Sequence, residues 1–419
     1  MSTGVYWRVG AQAHTFVDSP TLPASVDFAI VGAGITGTSA ALSLAEHGAS
    51  PLLLERGEPG DGASGLNAGT AVPCWPGLSA ALVENICGAD RGRQFNQMLI
   101  DGPSALDAWA ATHGLLGIES RLGVTYAAHD ATSEVKLRQL YEGWREREAQ
   151  VDWHEADVLR ERYGSDALGA GVTYRDCRMV NPLLLTRSLA SAAARRGARL
   201  HCHTDVRAIE ADGATWRLHT SRGTVRASRV LIATDSFKSN LVPGLDTLSF
   251  VLPYAVVVSK PALAASSQFT QPLCDTFAAQ PLFVYRGRDG RLFGSLPPTV
   301  AAPASVAALG RKFERRLRRV FPNAAATDWE YAWVGPVACS ATGLPTLTRF
   351  GPGLHALGGY SGFGLLPGIQ WGRAYAAALL DSSGRQLADI ESPPVAAPYG
   401  AFKTLLLRIA MSAAARFYR

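Results

Sequence analysis

Long apolar runs are missing from this sequence. No stretch reaches the roughly 18 consecutive apolar residues that a membrane-crossing helix needs, and the opening "MSTGVYWRVGAQAH" holds no apolar core of an export signal. Paired cysteines are missing too. The six, at 74, 87, 177, 202, 274 and 339, include no CxxC spacing, and a 419-residue chain needs no covalent staples. Reduced thiols and a cytoplasmic location are therefore expected. Charge of one sign is scarce: a net +5 spread along the chain marks no nucleic-acid surface. The motifs GxSxG, HExxH and GxxxxGK[ST] are all absent. "HCH" (201–203) is the one spacing that suggests a metal. On a strand, however, its histidines would face one way and Cys202 the other, so no metal is expected.

What is present is apolar bulk. At 47% hydrophobic and 18% charged, the chain can bury a large core, and its length suits two or three domains. Residues 1–25 read as an irregular lead-in. A strand (26–31), a turn (32–37), a helix (38–47) and a strand (52–55) follow as a βαβ opening, with Gly48 closing the helix. Amphipathic helices are read at 133–149, 183–196 and 311–321, the last a basic run with Phe313, Leu317, Val320 and Phe321 on one face. Between 198 and 235 the pattern turns to short strands broken at Asp212-Gly213 and Arg222-Gly223, ending in "RVLIATD". More strand material lies at 248–259 and 281–296. Residues 354–380 read as a strand, a glycine-rich turn and a helix. The apolar 403–419 reads as a packed terminal helix, with a weak membrane-surface contact as the alternative.

The chemistry concentrates at "VDFAIVGAGITGTSAALSLAEHGASPLLLE" (26–55). Gly32, Gly34 and Gly37 form GxGxxG between a strand and a helix. The first glycine permits a tight turn, the second a close approach to a pyrophosphate, and the third close packing of helix on strand. The phosphates then sit at the helix N-terminus, where amides and the dipole favour negative charge. Glu55, 21 residues after Gly34, is placed for ribose hydroxyls and disfavours a 2′-phosphate. NAD and FAD both satisfy these features. Two further stretches favour FAD. "GDGASGLNAG" (60–69) supplies amides, the Ser64 hydroxyl and the Asn67 amide for a second nucleotide half, and "GGYSGFG" (358–364) precedes a helix that could face the N1/O2 edge of a reduced flavin.

These pieces, with "MVNPLLLTRSLASAAARRGA", "TDVRAIE", "VLIATD", "DGRLFGS" and "WVGPVACSATGLPTL", follow in an order and spacing that resemble the D-amino-acid-oxidase superfamily of FAD enzymes over residues 5–385. The similarity lies on its glycine and sarcosine oxidase side. "YWR" before the first strand and "GASGLNAG" are most similar to the gamma-glutamylputrescine oxidoreductase group. The resemblance implies non-covalent FAD held by Gly32, Gly34, Gly37, Glu55, Arg56, Ser64 and Asn67. It implies adenine contact at Val206, a turn at Ala233-Thr234, and the flavin ring near Gly359, Tyr360, Gly362, Phe363 and Gly364. Ile35, Thr36, Gly62, Ala63, Ala68, Gly69 and Leu365 complete the candidate cofactor set. The implied fold is α/β: a Rossmann-like FAD-binding domain from segments 25–95, 172–240 and 330–385, and a substrate domain (96–171 and 241–329) with a large, mainly antiparallel sheet. Residues 1–24 lead in, and 386–419 extend the C-terminus.

Four positions depart from the relatives' pattern. Phe363 stands where many have His, Leu366 and Leu292 stand where sarcosine oxidases have Lys, and Leu66 replaces an Arg. Cys339 lies four residues from the covalent flavin attachment site. These departures count against a sarcosine-like substrate, covalent flavin and fast use of oxygen. The implied chemistry is oxidation of the C–N bond of an amine or amino acid, by hydride transfer to flavin N5, with O2, a quinone or another acceptor downstream. Phe363, Tyr254 and Arg286 are the candidate catalytic residues. Phe363 would sit in an apolar pocket with Trp75, Tyr254, Tyr285 and Trp333, which disfavours an ammonium ion and so holds the amine neutral. Arg286 would bind a substrate carboxylate. An FAD monooxygenase and a flavin-binding protein with little turnover are the alternatives.

Overall fold

The computed structural model describes residues 4–11, 21–75, 77–237, 241–261, 269–275, 281–297, 305–324, 326–381 and 390–392. The C-terminal stretch 403–419 lies outside them. Two large sheets organise the chain. In the first, parallel strands run in the order Leu354–Gly358, Gly223–Ile232, Ser25–Val31, Leu52–Leu54, Arg199–His201. Antiparallel strands Val206–Asp212, Thr215–Thr220 and Thr346–Gly351 extend it. This is a Rossmann-like α/β arrangement, with helices on one face and the antiparallel strands and the segment 241–245 on the other, and its strands are runs of Val, Ile and Leu because both faces are covered. The turns at Gly213 (φ +64°) and Gly223 (φ +131°) fall where the sequence breaks its strands.

The opening helix, Ile35–Glu46, is buried at every residue except its last. Small residues allow this. The final helix, Leu365–Leu380, crosses it at Gly368 and Gly372, and a Cβ on Gly372 would come within 2.6 Å of the Thr36 carbonyl oxygen. Helix Pro182–Arg195 has Pro at its first position and Asn181 as cap, whose side chain accepts the Leu184 amide at 3.0 Å.

The second sheet is mainly antiparallel. It runs Trp329–Ser340, Ser249–Ser259, Leu292–Leu296, Leu282–Arg286, Leu273–Asp275, Val124–Ala127, Gly171–Tyr174, Val151–His154. The anticipated segment boundaries at 172 and 330 fall inside two of these strands. One face packs on helix Val306–Val320, centred on Phe313, which is fully buried. The other face looks toward the parallel sheet.

Three local expectations are corrected. The lead-in contains a helix, Trp7–Ala11, with Trp7 fully buried. The opening helix starts at Ile35 rather than 38. The strand at "HCH" ends at His201, and His203 turns outward with φ +49°, so alternation does not extend across the three residues. A 25-residue helix, Ala89–His113, was not read from the sequence at all.

Candidate functional site

The chain leaves the opening strand at Gly32, with φ +103° and room for no side chain: a Cβ there would meet the Ala233 carbonyl oxygen at 2.8 Å. Gly34 caps the helix without a side-chain hydrogen bond. A Cβ on Gly34 would meet Ser64 Oγ at 2.9 Å, and that hydroxyl accepts the Ile35 amide at 2.8 Å, so its own proton can be donated outward. Gly37 sits within the first helical turn, where a Cβ would fall 2.0 Å from the Gly32 carbonyl oxygen. It serves packing and does not line the cavity.

Glu55 follows the strand Leu52–Leu54. Its carboxylate accepts the Ala33 amide at 2.7 Å and the Gly57 amide at 2.8 Å. The acid therefore braces the glycine turn, and a carboxylate's remaining lone pairs stay open to hydroxyl donors. Beside it, the Arg56 guanidinium lies 5.3 Å from the centre of the Phe237 ring.

The loop 60–69 is held by its own Asn67. The side-chain amide donates to the Ser64 carbonyl at 2.7 Å, while Oδ1 accepts the Gly69 amide at 2.8 Å. Asn67 thus shapes the loop, contrary to the expectation that its amide faces a ligand. From outside, the Trp7 indole donates to the Asn67 carbonyl at 2.9 Å. Gly69 (φ +77°) meets the Val180 carbonyl and the Trp7 ring where a Cβ would lie, so it too is structural.

The second glycine bend joins the two sheets. Gly359, Ser361 and Gly362 all have left-handed φ, at +79°, +54° and +97°. The Gly359 amide donates to Asp235 Oδ1 at 2.8 Å, and the Ser361 amide donates to the Ala338 carbonyl at 2.8 Å. The Tyr360 hydroxyl shares a 2.7 Å hydrogen bond with Thr36 Oγ1. Helix Leu365–Leu380 begins here with no side-chain cap. Two helix N-termini therefore open on the same space.

That space is a cavity of about 960 Å³. Its first half is lined by Gly32, Gly34, Ile35, Thr36, Glu55 and Arg56. Gly62, Ala63, Ser64, Asn67 and Ala68 follow, then Val206, Ala233 and Thr234. Tyr360, Gly362, Phe363, Gly364 and Leu365 close one side. The second half is walled by the antiparallel sheet, including Tyr254, and Trp75 also lines the cavity.

Gly359, Arg286, Tyr285 and Trp333 lie outside the lining. For Arg286 the cause is strand alternation. It shares the face of Leu282 and Val284, which look toward Phe313, and its Nη1 donates to the Gly290 carbonyl at 2.8 Å. Tyr285 stacks on Phe293, with ring centroids 4.6 Å apart, in the cluster that also holds Trp7 and Trp333. Leu292 likewise faces Phe313, and Leu366 packs on Gly102 of the long helix. Sequence reasoning missed Trp7, Asp235 and Phe237, and it missed the cavity-facing Tyr126, Tyr174, Phe283 and Ser295. Asp235 carried a usable signal: it follows a buried strand, and with φ +44° it adopts a conformation that Asp tolerates better than most residues.

A parallel sheet with a glycine turn, an acid at the end of the next strand and a second glycine bend defines a dinucleotide-binding fold. Residues 27–378 match the family described as DAO, FAD dependent oxidoreductase, and this chain belongs to that family. It is 28% identical to a probable oxidoreductase, OrdL, of Rhizobium meliloti, over 94% of this chain and 92% of that one. It is 25% identical to the gamma-glutamylputrescine oxidoreductase of Escherichia coli, over 91% and 90% respectively. In fold it is similar to glycine oxidase from Geobacillus kaustophilus, with a TM-score of 0.70 at 21% identity, covering 88% of this chain and 96% of that one. The protein is an FAD-dependent oxidoreductase. The residues present fit that cofactor: two helix N-termini face the cavity, the first with its Ile35 amide held by Ser64 and the second with no side-chain cap, and the positions of the Gly32 and Gly34 Cβ atoms are already taken by neighbouring atoms. Among the described residues, no helix is long and apolar enough to cross a membrane.

Proposed function

We propose that the chain oxidises the C–N bond of an amine or amino acid. The amine loses a hydride from its α-carbon and a proton from nitrogen, two electrons pass to FAD, and water hydrolyses the C=N bond to a carbonyl compound and a free amine. The observation that supports this reading is the continuity of the cavity. The nucleotide cradle opens directly onto an aromatic compartment, with no wall between them. Relatives named for gamma-glutamylputrescine and for glycine point to the same substrate class.

In this reading Gly32, Gly34 and Ile35 present the pyrophosphate cradle, and Glu55 holds ribose hydroxyls. Val206 lies at the adenine end. The bend 359–364 and the amides opening the last helix face the flavin. Phe363 and Tyr254 exclude water and keep the amine unprotonated. The segments 25–95, 172–240 and 330–385 carry the cofactor, and 96–171 with 241–329 carries the substrate wall. O2, a quinone or another acceptor completes turnover. The test is anaerobic mixing of the FAD-loaded protein with a panel of amines and amino acids. Bleaching of the flavin absorption supports the reading. Bleaching by NADH or NADPH alone would replace it with the monooxygenase alternative.

A further inference from the structure

Among the described residues, the antiparallel-sheet side of the cavity carries no charge. Five charged side chains line the cavity: Glu55, Arg56, Asp61, Asp205 and Asp235. All five stand on loops of the parallel sheet, four at the nucleotide side and Asp235 beside the bend 359–364. Asp235 is engaged by the Gly359 amide. From the antiparallel sheet the wall receives Tyr126, Tyr174, Tyr254, Phe283, Cys274 and Ser295, and no Asp, Glu, Lys, Arg or His.

Alternation explains the exclusion. The charged neighbours Asp275 and Arg286 lie one residue out of phase with lining or cavity-side positions. Asp275 is buried on the far face in an ion pair with Arg316 of helix Val306–Val320, and Arg286 bonds the Gly290 carbonyl. Titration does not supply a charge either. Burial pushes the phenols of Tyr126, Tyr174 and Tyr254 up from their ordinary value, and it pushes the Cys274 thiol up to about 12.

The compartment is aromatic in a defined way. Tyr126 and Tyr174 meet edge to face, with centroids 5.5 Å apart. The Trp75 indole N–H is held by Asn96 Oδ1 at 3.1 Å, so its hydrogen-bonding edge is satisfied within the protein. Hydroxyls of tyrosine and Ser295 are the polar groups on offer, and they suit a neutral nitrogen.

Resting on the amine-oxidation reading, we propose that the substrate is an amine with apolar or aromatic substituents and no carboxylate beside the reacting carbon. An α-amino acid would place its carboxylate in a compartment with no cation to meet it, where an unpaired charge is strongly disfavoured.

The test uses the FAD-loaded protein under anaerobic conditions, comparing benzylamine with phenylglycine. The two share the phenyl-bearing carbon and differ by the carboxylate. Benzylamine is expected to reduce the flavin with an apparent Kd at least tenfold lower than either enantiomer of phenylglycine. Phe283→Arg, and separately Arg in place of Leu252, which also lines the cavity from strand Ser249–Ser259 (L252R), should narrow or reverse that ratio by placing a cation on the wall. Equal or tighter use of phenylglycine by the unaltered protein overturns the proposal while leaving amine oxidation standing. A second readout is independent of turnover: the visible spectrum of the oxidised protein should shift with aniline and not with benzoate. If neither amine reduces the flavin yet this shift pattern holds, the oxidation reading falls and the uncharged compartment stands. A shift with benzoate, or with neither probe, overturns the inference.

Discussion

The Tyr360 hydroxyl and Thr36 Oγ1, 324 residues apart in sequence, meet at 2.7 Å in the interior. Thr36 lies in the first turn of the opening helix, and Tyr360 lies in the bend before the last helix. Their contact sets one helix N-terminus beside the other, and Gly368 and Gly372 allow the approach by bringing backbone against Ile35 and Thr36.

Gly372→Ala should strain this crossing. The new methyl would lie 2.6 Å from the Thr36 carbonyl oxygen, which is backbone and cannot swing aside. Overpacking of this kind costs about 1–3 kcal/mol. Thermal unfolding should show a lower Tm, and an unchanged Tm would mean the two helices separate more easily than the packing implies.

Glu55→Gln replaces a charged acceptor of two backbone amides with a neutral group that can accept through only one atom. Hydrogen bonds to a charged group contribute about 1.5–3 kcal/mol. FAD affinity, followed by quenching of flavin fluorescence, should fall by roughly tenfold or more.

Trp7→Ala removes a fully buried indole and its hydrogen bond to the Asn67 carbonyl. Truncating a buried aromatic costs about 3–5 kcal/mol. Because the indole rests on the loop 63–69, FAD binding should weaken along with stability. A variant that loses stability yet binds FAD normally would show that the N-terminal helix does not support the cradle.

Arg178 is buried, 2% exposed, between Asp107 and Asp176. Burial alone would raise the Asp176 carboxyl, but Arg178 and Arg121 override it and hold the carboxyl below its ordinary value. A depressed native value stabilises the fold above the unfolded-state pKa of about 3.9, and that gain is lost as pH falls through the native value. Denaturant midpoints should therefore hold steady to about pH 4 and decline below it. Asp176→Asn should start from a lower midpoint and show a shallower acid decline.

Among the described residues no cation from the antiparallel sheet lines the aromatic part of the cavity, so an oxygen anion forming there would lack a counter-charge. Reduced protein should reoxidise at least tenfold faster with a quinone-like dye than in air-saturated buffer. Comparable rates would point to a cation elsewhere that serves oxygen.

Much of the cofactor half was readable in advance. The glycine turn, Glu55 and the second bend each announce themselves through backbone demands that neighbouring residues must satisfy, and the hairpin at Asp212-Gly213 does the same. The long helix Ala89–His113 was not readable. Gly92, Gly102 and Pro103 interrupt its pattern, and Gly102 makes sense only against Leu366 of the last helix.

By itself, the sequence determined the parallel nucleotide-binding core and its family, because turns, caps and strand runs depend on residues a few positions apart. Only the tertiary structure decided which residues of the antiparallel sheet line the cavity. A shift of one position along a strand moves a side chain to the opposite face, so Phe283 meets the cavity while Arg286 does not, and Ser295 faces it where Leu292 turns to Phe313. That phase is set by pairing between strands far apart in the chain.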